Sequence, residues 1–118
     1  MSQWIYNEQA FEMDLTDADF AEKYQSAFET LASEEEKLPK DGRLSEILKA
    51  NCGIYYNLFD YILGEGSGQK IFGGKMSISL CEEVFDDFFS FCQKEVGRMT
   101  QLRAKRFEKY APKKRRTY

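Results

Sequence analysis

Three runs of apolar residues at helical spacing, separated by two breaks that a helix does not cross, set what this chain can fold into. In the first run Phe20, Tyr24, Ala27, Phe28 and Leu31 recur every three or four residues and so line one side of a helix. Thr16 and Asp17 stand at its start, and Asp19 and Glu22 occupy the first turn, where a carboxylate meets the positive end of the helix dipole. The run reaches about Lys37, and Pro39, Asp41 and Gly42 then turn the chain. A second helix is predicted from about Arg43 to Leu63, with Leu44, Ile47, Leu48, Cys52, Tyr55, Leu58, Phe59 and Ile62 on its apolar side and Gly64 as its stop. Gly53 lies inside it, where glycine costs roughly 1 kcal/mol relative to alanine. A close approach by a neighbouring helix would account for that glycine.

The second break holds five glycines between Gly64 and Gly74, around one expected helical turn at about Ser67–Phe72. The third run carries Leu80, Val84, Phe85, Phe88, Phe89, Cys92, Val96, Met99 and Leu102. Ser79-Leu80-Cys81-Glu82 has the spacing of a capping box for its start, and the helix can extend to Tyr110 before Pro112 ends it. Ahead of all three, Trp4 and Tyr6, then Phe11 and Met13, alternate with polar residues across Asn7-Glu8-Gln9, the pattern of a short hairpin. Two strands alone are marginal, so the hairpin must pack on the helices. The expected fold is therefore α+β, mainly α: an N-terminal β-hairpin over about residues 1–14, packed on a bundle of three long helices.

Charge divides the chain differently. The net charge of −3 conceals nine Lys and Arg against nineteen Asp and Glu through Leu102, and eight against Glu108 alone from Arg103 onward. The sequence reads as an acidic helical domain over 1–102 and a basic helix extension and tail over 103–118, its end at Lys113-Lys114-Arg115-Arg116 expected to be disordered.

The chemistry available is narrow. There is no histidine, the commonest general base near neutral pH and the commonest metal ligand. Cys52, Cys81 and Cys92 have neither zinc spacing nor an even count for a disulfide framework, so buried free thiols are expected. The glycine stretch lacks the preceding strand that a phosphate-cradling loop needs, and Met76 follows Lys75 where a magnesium-binding Ser or Thr would stand. It reads as a helix connector. Glu82, Glu83, Asp86 and Asp87 read as a solvated helix face, with Glu82 serving the cap. No enzyme activity, metal or cofactor is expected. No run approaches the ~20 apolar residues of a membrane span, and no signal-peptide pattern opens the chain, so a cytoplasmic protein without membrane contact is expected.

What remains is contact. Phe91 on the third helix and Tyr56 and Tyr61 on the second lie off the main apolar stripes, as residues of a second contact surface do. Arg103, Lys105, Arg106, Lys109, Lys113, Lys114, Arg115 and Arg116 offer an electrostatic handle. These are the candidate partner-binding residues, for a protein partner or for homo-oligomerisation. Nucleic acid is the weaker reading, because the acidic body would repel it and no reading module is visible.

A set of segments carries a resemblance over most of the chain: the strand pair followed by Thr16-Asp17-Ala18-Asp19-Phe20-Ala21-Glu22-Lys23-Tyr24, then Leu44-Ser45-Glu46-Ile47 with Cys52 and the aromatic run to Phe59-Asp60. Gly64-Glu65-Gly66 leading to Lys70-Ile71-Phe72-Gly73-Gly74-Lys75, and the closing Lys109-Tyr110-Ala111-Pro112, belong to it too. Together these resemble small proteins from the tail-morphogenesis gene block of phages and prophages of Gram-positive bacteria, a family proposed to be tail assembly chaperones. The departure is at the terminus, where members often carry an asparagine–arginine–alanine–glutamine–arginine run and this chain has Lys113-Lys114-Arg115-Arg116. The resemblance implies a non-enzymatic helper in the host bacterial cytoplasm that binds the tape measure protein or tail-tube subunits during morphogenesis. The alternatives are a small nucleic-acid-associated regulator using the basic tail, or a structural component of the tail.

Overall fold

The structure, a computed structural model, describes residues 2–110. It has six elements: β1 (Ser2–Tyr6), β2 (Gln9–Met13), α1 (Ala18–Glu36), α2 (Leu44–Leu63), α3 (Ser67–Phe72) and α4 (Ile78–Tyr110). The fold is α+β and mainly helical, with an antiparallel two-stranded hairpin ahead of the helices.

The strands pair Ser2 with Met13, Trp4 with Phe11 and Tyr6 with Gln9. That register leaves a two-residue loop, Asn7-Glu8, both residues at positive φ (53° and 67°), as a type I′ turn requires. Gln9 is therefore the first residue of β2 rather than part of the turn. The period-two alternation turns Trp4 and Met13 inward, where both are buried.

Trp4 fixes the hairpin to the bundle. Its ring is 1% exposed, stacks on Phe59 of α2 (5.7 Å, 6°) and meets Phe88 of α4 edge-on (5.0 Å, 73°). Large rings bury much area per residue, and an edge-to-face pair adds about 0.5–1.5 kcal/mol beyond that. The indole N–H donates to Oδ2 of Asp87 at 2.9 Å. Asp87 is thus a hydrogen-bond partner of the core tryptophan, which the reading of 82–87 as a merely solvated face missed.

α1 and α4 each begin at a side-chain cap, whereas α2 and α3 begin without one. The Asp17 side chain accepts from the Phe20 N–H at 3.0 Å, and the preceding turn is tied by Asp14, whose Oδ1 accepts from the Thr16 N–H at 3.0 Å. The Thr16 hydroxyl donates to the same oxygen, and that bond, with the one from the N–H, holds the Asp14 carboxyl below the usual carboxylate range. α4 starts at Ile78, earlier than the Ser79 box predicts. Ser77 caps it, its Oγ accepting from the Leu80 N–H and its carbonyl from the Cys81 N–H. The residue three positions after Ser77 is Leu80, so the reciprocal half of a capping box is missing and Glu82 does not serve the cap.

The close approach expected at Gly53 occurs instead at Gly68. A Cβ on Gly53 would meet nothing within 4 Å. A Cβ on Gly68 would lie 2.9 Å from the Tyr56 carbonyl oxygen and 3.1 Å from its Cα, because α3 lies flat against the α2 backbone. The Gly68 N–H donates to Oδ1 of Asp60 at 2.7 Å, and the Tyr56 hydroxyl donates to the Lys75 carbonyl at 2.6 Å. With Gly73 in the left-handed region as the α3 C-cap, the glycine stretch is a connector folded back on α2.

Cys52, Cys81 and Cys92 are free and fully buried. Burial pushes the Cys81 and Cys92 thiols up to about 12, and it also raises Tyr24, beside Cys92. Phe89, grouped with the core by its spacing, sits at the rim, 38% exposed, against Phe28 and Phe85.

Candidate functional site

α4 outruns the body it packs on. Its 33 residues span about 50 Å at 1.5 Å per residue. The Cα radius of gyration is 18.7 Å, against about 13–14 Å for a compact chain of this length. The buried stripe of α4 holds Cys81, Val84, Phe88 and Cys92 and goes no further. A polar collar follows: the Ser2 hydroxyl donates to Glu95, and Arg98 Nη2 reaches Oε1 of Glu95 at 3.0 Å and Oγ of Ser2 at 3.3 Å. The bonds from Ser2 and then Arg98 hold the Glu95 carboxyl below its ordinary range. Met99 is half-buried, and every residue from Thr100 to Tyr110 is exposed.

This projecting end has the composition of a contact surface. Arg103, Lys105, Arg106 and Lys109 stand against Glu108 alone. Leu102, Phe107 and Tyr110 are exposed at 55%, 54% and 64%. Two Arg–aromatic pairs at i,i+4 spacing knit the face together, with the Arg103 guanidinium 5.4 Å from the Phe107 ring centre and that of Arg106 5.7 Å from Tyr110. Continuity with the packed part of α4 supplies the helix nucleus, which an isolated segment of this length would lack. The helix runs unbroken through Leu102–Arg103, the boundary drawn from charge; packing on the body thins out at the collar instead.

A second surface lies between α1 and α2. Ala27, Thr30, Leu31 and Glu34 face Ile54, Asn57, Leu58 and Tyr61 across a mostly apolar groove of about 250 Å³. Tyr61 stands 52% exposed on its wall, and the half-buried Glu34 gives it an acidic end.

The predicted contact residues divide between these surfaces and the interior. Arg103, Lys105, Arg106 and Lys109 are brought together on the projecting helix, and Tyr61 lines the groove. Phe91 is half-buried beside Gln3, Trp4 and Ile5, because the hairpin covers the face of α4 that the spacing left open. Tyr56 is half-buried too, its ring 4.7 Å from Phe72 and its hydroxyl committed to the Lys75 carbonyl. Lys113, Lys114, Arg115 and Arg116 lie outside the described residues, as does the expectation of a disordered end. Phe107, absent from the sequence candidates, has a signal in hindsight: Arg103 and Arg106 each precede an aromatic residue by four. Leu31 and Leu58 read as plain core positions, and nothing in their spacing marks a groove.

Among the described residues, no group of three or more His, Cys, Asp or Glu side chains is placed to hold a metal ion, and no helix is long and apolar enough to cross a membrane. The chain belongs to the family of unknown function DUF6673, whose profile matches residues 7–118. The search of curated proteins and the search of solved structures each returned no match.

Proposed function

We propose that this chain is a non-enzymatic binding protein whose working element is the projecting end of α4. The observation that carries the reading is that Thr100–Tyr110 stays helical with every residue exposed, while presenting Leu102, Phe107 and Tyr110 among four cations. Single exposed apolar residues are ordinary on a protein surface; aromatic rings paired with arginines along a helix that projects from the body are the residue types enriched where partners are gripped. The mode is helix-in-groove recognition, in which an amphipathic helix lays its apolar side into a partner.

The resemblance to tail-block proteins supplies the partner class: the tape measure protein or the tail-tube subunits, held during morphogenesis in the bacterial cytoplasm. The test is copurification with the full-length chain from cells expressing a tail gene block. Recovery of tape measure or tube protein, with this chain absent from finished virions, supports the reading. Its presence in virions would make it a tail component instead, and normal tails from cells lacking it would refute the chaperone role. The exposed Arg103, Lys105, Arg106 and Lys109 also fit a phosphate backbone, and that rival predicts nucleic-acid binding that falls steeply with salt.

A further inference from the structure

We infer that the free end of α4 docks into the α1–α2 groove of a second copy of this chain. The inference rests on the reading of that end as a binding element, and it names a partner that requires no other protein. The two surfaces are complementary in charge. Glu34 is the one carboxylate among the residues lining the groove, and Glu35 and Glu36 follow it at the end of α1. The end of α4 carries Arg103, Lys105, Arg106 and Lys109 against Glu108. They also match in kind, with an apolar channel bearing a half-buried carboxylate on one side and apolar side chains flanked by guanidiniums on the other.

The geometry prevents one copy from closing on itself. α1 and α4 run antiparallel, with Phe28 5.5 Å from Phe85 and Tyr24 6.4 Å from Phe88. Leu31 and Glu34 therefore lie toward the start of α4. The exposed end begins at Thr100, about 22 Å further along the helix axis than Phe85, and leads away from the groove. A surface at one end of the body and its complement beyond the other pair between copies, either reciprocally in an antiparallel dimer or in series as a chain or ring. Self-association and capture of a tail protein then compete for the same helix.

The test uses the purified full-length chain with no tail protein present, so its failure is separable from failure of the proposed function. Sedimentation velocity over a concentration series should show the mass rising above monomer at low salt and returning to monomer at high salt, as screening requires. The full chain carrying Tyr61→Glu has a spoiled groove and an intact helix; the chain carrying Arg103→Glu and Arg106→Glu has the reverse. All three substitutions fall on exposed side chains. Each variant alone should be monomeric, while an equimolar mixture should form a heterodimer and stop there, since one intact interface remains. That rescue would itself show that both variants are folded. A monomeric wild-type chain at every concentration, self-association of either variant, or a mixture that stays monomeric would each overturn the inference.

Discussion

Two glycines on neighbouring helices should respond to the same substitution with opposite signs. At Gly53, inside α2, an added Cβ meets nothing within 4 Å, so Gly53→Ala gains helix propensity alone, about 0.5–1 kcal/mol. At Gly68 the new Cβ would sit 2.9 Å from one backbone atom of Tyr56 and 3.1 Å from another, and backbone cannot swing aside as a side-chain tip can. Relief requires lifting α3 off α2. Overpacking of this kind costs about 1–3 kcal/mol. The same shift stretches the 2.7 Å bond from the Gly68 N–H to Asp60, and a hydrogen bond to a charged group contributes about 1.5–3 kcal/mol when well shielded, less here where it is partly exposed. Set against a propensity gain of about 1 kcal/mol at most, Gly68→Ala should lose about 1–3 kcal/mol. Urea unfolding followed by the fluorescence of Trp4, the single tryptophan, reads both changes as midpoint shifts at constant slope. A Gly68→Ala protein as stable as wild type would refute the packing of α3 on α2, and a destabilised Gly53→Ala protein would refute the open space around that helix.

The remaining predictions concern the hairpin and the thiols. Asp87→Ala strips the acceptor from the Trp4 indole and should cost about 1–2 kcal/mol, whereas Asp87→Asn keeps an acceptor and should cost less than half of that, by the same urea midpoints. Glu8→Gly relieves a side chain held at φ 67° in the type I′ turn and should stabilise by about 0.5–1 kcal/mol in thermal unfolding, net of the entropy that glycine adds to the unfolded chain. Because burial raises Cys81 and Cys92 to about 12, their stabilising contribution is complete below the unfolded thiol value and is lost as pH climbs toward 12. Stability should therefore hold steady up to about pH 8.5 and then fall by as much as about 1.4 kcal/mol per pH unit for each thiol. A thiol reagent at pH 8 should label all three cysteines only after unfolding, since each is fully buried in the native chain.

The helices were legible because their signals are local. Asp17 begins α1, Gly64 closes α2, and the single turn at Ser67–Phe72 falls where the glycines leave room for it. Misreadings arose where tertiary contact decides between local options. Ser77 and Ser79 both suit a cap, and the path of the chain out of α3 selects Ser77. Gly53 and Gly68 are equally glycine, and only the placement of α3 shows which one is pressed against a backbone. Phe91 looked like a contact residue because the spacing of α4 cannot reveal that the hairpin lies along that side. The basic end of α4 was visible as a change in charge, but its separation from the body depends on where the packing stops, at the collar of Ser2, Glu95 and Arg98. The groove depends on how α1 and α2 splay, which no periodicity encodes.

Amide hydrogen exchange, read peptide by peptide on the full-length chain alone at low concentration and again in the complex it copurifies with, probes the working element without mutation. Residues 100–110 should exchange fast when the chain is alone, because little packing shields them, and should slow markedly in the complex while the core peptides around Phe59 and Phe88 stay protected in both. Unchanged exchange over 100–110 in a stable complex, or strong protection there in the dilute chain alone, would contradict binding through the end of α4.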